Sequence, residues 1–181
     1  GQDASFTPER FLARYEELAN VLGNLVSRTL GMTDKYRKGR IPEALGTGLD
    51  RDVKATLAAV RTAVEGYRLN EALGAAMDLA RRANGYVEQR EPWAQAKDPA
   101  RAADLDETLA TLARTLATLA ALFQPVCPSK MGELAARLGL AEVPTLDQAG
   151  KVGLGGNTTR KGELLFPRAD LLPDQSGGGT V

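Results

Sequence analysis

Apolar residues recur at steps of three and four along most of the chain, the spacing of one face of an α-helix. Phe11, Tyr15, Leu18, Leu22, Leu25 and Val26 form the first such stripe. It opens at Thr7-Pro8, where Thr7 suits an N-cap and Pro8 the first helical position, and Gly31 is the predicted stop. Residues 31–49, rich in Gly, Pro and basic side chains, read as an irregular connection. Val53, Leu57, Val60, Val64 and Tyr67 predict a second helix from about 50 to 67, and Leu73, Met77, Ala80 and Val87 a third from about 70 to 89. Pro92 ends that stretch and biases Glu91 toward an extended backbone. Asp98-Pro99 opens a fourth helix. Its Leu105, Leu109, Leu112, Leu116, Leu119 and Phe123 keep a seven-residue repeat, suited to a shallow crossing angle in a bundle. Pro125 and Pro128 break the chain. Ser129 then caps a short fifth helix with Leu134 and Leu138, stopped at Gly139.

The pattern predicts an all-α fold, an antiparallel bundle of about five helices with an irregular tail. Residues 1–140 read as the helical domain, and 141–181 as an irregular extension packing on it, loose at Gly177-Gly178-Gly179. Composition agrees, since aromatics are only 5% and Leu and Ala dominate the apolar positions.

Charge narrows the chemistry. Lys+Arg and Asp+Glu both total 23, so no global basic field exists and any nucleic-acid binding must use a local patch. One such patch is Arg28, Lys35, Arg37, Lys38 and Arg40 against only Asp34; another is Arg81, Arg82, Arg90 and Lys97 against Glu88 and Glu91. The start of the fourth helix is acidic instead. The chain has no His and one Cys, Cys127. That excludes imidazole general-base catalysis, His-dependent triads and thiolate zinc sites, and it predicts a reducing, cytoplasmic setting. There is no phosphate-binding loop signature and no long apolar run, so neither a nucleotide site nor a membrane partner is expected.

Few residues remain to carry function. Asn20, Asn24 and Arg28 are spaced by four and share one helix face, opposite the Leu stripe. Asn can form two bonds to a base edge and Arg can fork onto phosphate or base. On spacing alone an ordinary solvated face explains them better. Trp93, the only Trp, follows Pro92 at the end of the third helix. It is either a plug that caps the bundle, the more frequent case, or a platform on which an unstacked base lies. If the first and third helices end at one pole, the basic patches surround it.

The order of these segments resembles the anticodon-binding domain of methionyl-tRNA synthetases, class I enzymes. The resemblance runs from Phe6-Thr-Pro-Glu-Arg-Phe11 through Leu22-Gly23-Asn24-Leu25-Val26-Ser27-Arg28. It continues with Met32, Lys35-Tyr36, Gly39 and Pro42, then Asn84-x-Tyr86, Pro92-Trp93 and Ala96-Lys97. Pro125-Val126-Cys127-Pro128 and Leu165-Phe166-Pro167-Arg168 close it. The resemblance implies that Asn24 and Arg28 engage the wobble cytosine of the methionine anticodon, and that Pro92 and Trp93 support and stack it. Asn20, Lys35 and Arg90 are candidate supporting RNA contacts. Glu16, Val21, Gly85 and Ala169 depart from the family pattern, which points to a diverged branch or an altered RNA preference.

The family's ATP signatures, H-I-G-H and K-M-S-K-S, are missing; Lys130-Met131-Gly132 is not the second of them. The resemblance therefore implies ATP and Mg for the parent enzyme but no cofactor in this chain. The expected partners are the anticodon loop of methionine tRNA and the catalytic domain of the parent, with no membrane and no DNA. A stand-alone docking or dimerisation bundle is the alternative. An enzyme in its own right is the weakest reading, because no nucleophile–base pair is present.

Overall fold

The computed structural model describes residues 7–167. Its helices are α1 (Pro8–Leu18), a π turn (Ala19–Gly23), α2 (Asn24–Arg37), α3 (Asp50–Glu65), α4 (Leu69–Arg90), α5 (Pro92–Gln95), a 3-10 turn (Pro99–Arg101), α6 (Ala102–Phe123) and α7 (Pro128–Arg137). This is the all-α bundle that the periodicity predicts. Among the described residues the only β feature is an isolated bridge between Arg40 and Thr158. No helix there is long and apolar enough to cross a membrane.

α1, the π turn and α2 form one rod, because Leu18, Ala19, Gly23 and Asn24 all keep right-handed dihedrals. Thr7 caps it, accepting the Arg10 N–H at 3.3 Å. The rod does not stop at Gly31. It ends at Arg37, where Lys38 turns left-handed. A glycine inside a helix costs only about 1 kcal/mol, and burial of Leu30 and Thr33 on either side offsets it. The irregular connection is correspondingly shorter, beginning at Lys38.

α6 is the central helix. From Thr108 to Phe123 every residue except Arg114 is buried, so α6 is enclosed on all sides and is not a one-faced amphipathic helix. The Leu stripe locates part of its packing and the alanines supply the rest. α2, α4, α5 and α7 all pack on it, and α3 packs on α4. Its threonines are made compatible with burial by bonding back to the helix: Thr108 to the Asp104 carbonyl at 2.8 Å and Thr115 to that of Thr111 at 2.8 Å.

Three apolar positions on the predicted stripes are not core. Phe11 is 59% exposed because no residue of α1 is buried. Val64 and Tyr67 are also exposed, Tyr67 standing in a left-handed turn between α3 and α4. The fifth helix begins at Pro128 rather than after Ser129, with Cys127 at its N-cap position. From Leu140 to Pro167 the chain has no helix and returns to the bundle. Leu154, Leu165 and Phe166 are buried, and the Tyr15 hydroxyl donates to the Pro167 carbonyl at 2.7 Å. Arg168, Ala169 and the glycine-rich end lie outside the described residues.

The connection before α3 is held on α6 by the Glu107 carboxylate, beside the Arg114 guanidinium, which donates to the Leu45 and Gly46 carbonyls at 2.7 Å each. Glu107 accepts the Gly46 N–H at 2.9 Å and the Thr47 N–H at 2.6 Å. Gly46 has a left-handed φ of 65° and presses so closely on α6 that a Cβ would lie 2.7 Å from the Ala110 carbonyl carbon. Burial opposes ionisation of Glu107, but the Gly46 and Thr47 donors outweigh it and hold its carboxyl below the ordinary carboxylate range. A depressed native value means stability that is fully present above the unfolded value, about 4.3, and lost as pH falls through the native one. Glu107→Ala should cost about 0.5–1.5 kcal/mol at neutral pH, since solvent screens part of the interaction. Glu107→Gln should flatten the acid limb of the unfolding midpoint against pH. An unchanged acid limb in that scan would rule out the pinning role.

Candidate nucleic-acid interface

The first rod and α4 lie side by side and point the same way. Three cross-links rise in step along both: Glu17 with Arg81, the Val21 carbonyl with the Asn84 amide at 3.0 Å, and Arg28 with Glu88 at 2.6 Å. Beyond them Arg37 reaches the first turns of α6, its Nε 2.5 Å from Asp106 and its Nη2 bonded to the Ala102 carbonyl at 3.3 Å. Arg90, the last residue of α4, donates from Nε to the Thr108 hydroxyl at 3.2 Å. The ends of α2 and α4 thus gather over the start of α6 at one pole.

α5 follows immediately. Glu91 does not adopt the extended conformation expected before a proline. It turns left-handed, with φ 49° and ψ 59°, so that its N–H closes α4 on the Val87 carbonyl at 3.1 Å. Its own carbonyl then accepts from Ala94 at 2.7 Å and Gln95 at 3.0 Å, starting α5 with no intervening loop. Pro92 and Gln95 are buried on the inner face, while Trp93 is 38% exposed. The indole is neither a sealed plug nor fully bare: one part is seated and the rest meets solvent.

Asn24 is exposed at the start of α2 and Arg28 is half-exposed one turn later, so this pair shares a face as the spacing predicts. Asn20, also exposed, lies in the π turn, where the Asn24 N–H bonds back five residues to the Ala19 carbonyl. Lys35 is exposed in the last turn of α2, its Nζ 5.4 Å from the centre of the Tyr36 ring. Arg90 is half-buried, 3.9 Å from Asp104 and 6.0 Å from the centre of the Tyr86 ring.

The rim is basic in content but not in net field. Arg28, Arg37 and Arg90 each face a carboxylate, on Glu88, Asp106 and Asp104. A ligand phosphate competes with these carboxylates for the guanidinium groups. Sequence reasoning counted Glu88 but did not pair it with Arg28, because the rod-to-α4 register is a tertiary fact. It also missed Gln95; the only signal was a polar residue three places from Pro92, on the buried side of a short helix.

Residues 49–154 match the family model described as the anticodon-binding domain of tRNA ligase. This chain belongs to that family. The matched part of the anticodon-binding domain holds α3 to α7 with Pro92 and Trp93, while Asn24 and Arg28 precede it. Curated relatives extend the likeness over the first rod. The methionine–tRNA ligase of Oceanobacillus iheyensis is 38% identical over 94% of this chain, and that of Lactiplantibacillus plantarum 37% identical over the same share. The chain spans 27% of the length of each. Among solved structures, the apo methionyl-tRNA synthetase of Mycobacterium tuberculosis superposes with a TM-score of 0.79 at 31% identity. That match covers 93% of this chain and 36% of the other.

Proposed function

We propose that this chain reads the anticodon loop of methionine tRNA as the anticodon-binding part of a methionine–tRNA ligase. The observation that carries the reading is the half-open indole of Trp93 at the pole where α2 and α4 converge, with Arg28 tied to α4 through Glu88. An unstacked base suits the indole face, and Asn24 and Arg28 suit its hydrogen-bonding edge and the adjoining phosphate. Pro92 fixes the start of α5 and so the direction of the ring. Lys35, Arg90 and Asn20 stand at the margin as supporting contacts. The ligase's chemistry with ATP and magnesium falls to the remainder of the enzyme, in the cytoplasm that a lone thiol suits.

Trp93 is the only Trp of the chain, so its emission reports on the site alone. Titration with a hairpin bearing a CAU loop should quench that emission, and a hairpin with a different loop should do so at much higher concentration. Equal response to both loops, or none to either, would instead mark a helical docking module without RNA preference.

Arg28→Ala gives a second, independent check. The pair with Glu88 is exposed enough that its loss should change stability by less than about 1 kcal/mol. Hairpin affinity should fall, and the slope of log K against log salt should shrink by about 0.7, the share of one phosphate on a single strand. An unaltered slope would place Arg28 off the backbone.

A further inference from the structure

Among the described residues, Thr29, Gln95 and Gln124 bury side-chain polar atoms that have no hydrogen-bond partner. Two of them adjoin the proposed contacts, Thr29 following Arg28 and Gln95 lying two places after Trp93. Buried polar groups are nearly always satisfied, and strain of this kind gathers at ligand clamps and switch segments.

Gln95 is the extreme case. It is 1% exposed, and neither Oε1 nor Nε2 is bonded. Its backbone is not at fault. The Gln95 N–H reaches the Glu91 carbonyl at 3.0 Å and its carbonyl accepts from Asp98 at 3.2 Å. The defect is confined to the side chain, on the inner face of a four-residue helix. That helix is entered through Glu91 in the left-handed region, which a residue with a Cβ adopts only at a cost. The segment carrying the indole, between α4 and α6, therefore holds two unfavourable features.

We propose that Gln95 is a positioning residue for Trp93, one that keeps α5 in a two-state seat. In the resting arrangement the indole is partly covered and the amide is unsatisfied. In the engaged arrangement α5 lifts, the amide gains partners, and the indole meets the base. An anticodon loop prefers the second state and binds by selecting it, so the strain of the first is released on binding. This inference rests on the anticodon reading above and adds how the site is set.

The test uses the full chain with Gln95→Met and Gln95→Leu, which remove the amide while keeping the seat filled. Both variants should unfold at a temperature about 2–4 °C higher than wild type, since an unsatisfied buried group is gone. Both should bind a CAU-loop hairpin about tenfold more weakly, because binding no longer releases that strain. Wild type that binds no hairpin removes the anticodon reading itself. Wild type that binds while the variants bind equally well overturns only the role of Gln95, whatever their melting temperature. An unchanged or lower melting temperature overturns it too. If neither variant folds, amide exchange of the wild type decides: exchange at Ala94, Gln95 and Ala96 should far outpace that in central α6, and equal protection overturns the two-state seat.

Discussion

Trp93→Ala is expected to bind the CAU-loop hairpin about 1–3 kcal/mol more weakly than wild type, a loss of roughly 5- to 150-fold. The fold should barely notice. The ring is 38% exposed, and Pro92 and Gln95 occupy the inner face of α5, so truncation opens no enclosed cavity. Because the substitution removes the only Trp, binding is best followed by anisotropy of a labelled hairpin beside a thermal melt. A variant with the wild-type Kd would remove the stacking platform and with it the centre of the proposed site. A variant that melted far below wild type would show instead that the indole is a structural plug. The two roles of a lone Trp after a helix break are thereby separated in one pair of measurements.

Leu112→Ala should have the largest effect on stability, about 2–5 kcal/mol. Leu112 is fully buried in α6, the helix on which α2, α4, α5 and α7 all pack. A truncation there leaves a void that its neighbours cannot easily fill. Against a typical total of about 5–15 kcal/mol, such a loss brings the chain near its unfolding threshold at ambient temperature. Urea unfolding followed by far-ultraviolet circular dichroism measures it. A loss below about 1 kcal/mol would mean that α6 is not enclosed as described. Hairpin affinity of the folded fraction should be unchanged, since Leu112 contributes nothing to the recognition face.

The helices were legible because their signals are local. Thr7-Pro8, Asp98-Pro99 and the 3-4 stripes depend on residues within one or two turns. What escaped was set by partners distant in sequence. The first rod runs past Gly31 because Leu30 and Thr33 are buried by other elements, which no window around Gly31 reveals. α6 is enclosed all round because four other helices choose it, although its alanines, read as a second face, hint at this. Phe11 keeps the phase of the stripe but precedes the part of the rod that is covered. At the site, Asn24, Arg28, Pro92 and Trp93 stand out by residue type and order. The pairing of Arg28 with Glu88, the left-handed turn at Glu91 and the buried amide of Gln95 do not, because each answers to a neighbour in space.

The five-residue π turn has a consequence for how the domain tolerates change. Its five residues sweep nearly the angle of one ordinary α turn, so the extra residue is taken up without turning α1 relative to α2. Removing one residue between Ala19 and Gly23 would restore an uninterrupted α-helix with little change in the bearing of the residues upstream. Asn24 and Arg28 would keep their bearing, and Tyr15 would stay close to the Pro167 carbonyl and the edge of the Phe166 ring. The turn is thus a spare link between two halves of one rod: the forward half carries the exposed Asn24 and the half-exposed Arg28, and the rear half clasps the returning chain through Tyr15.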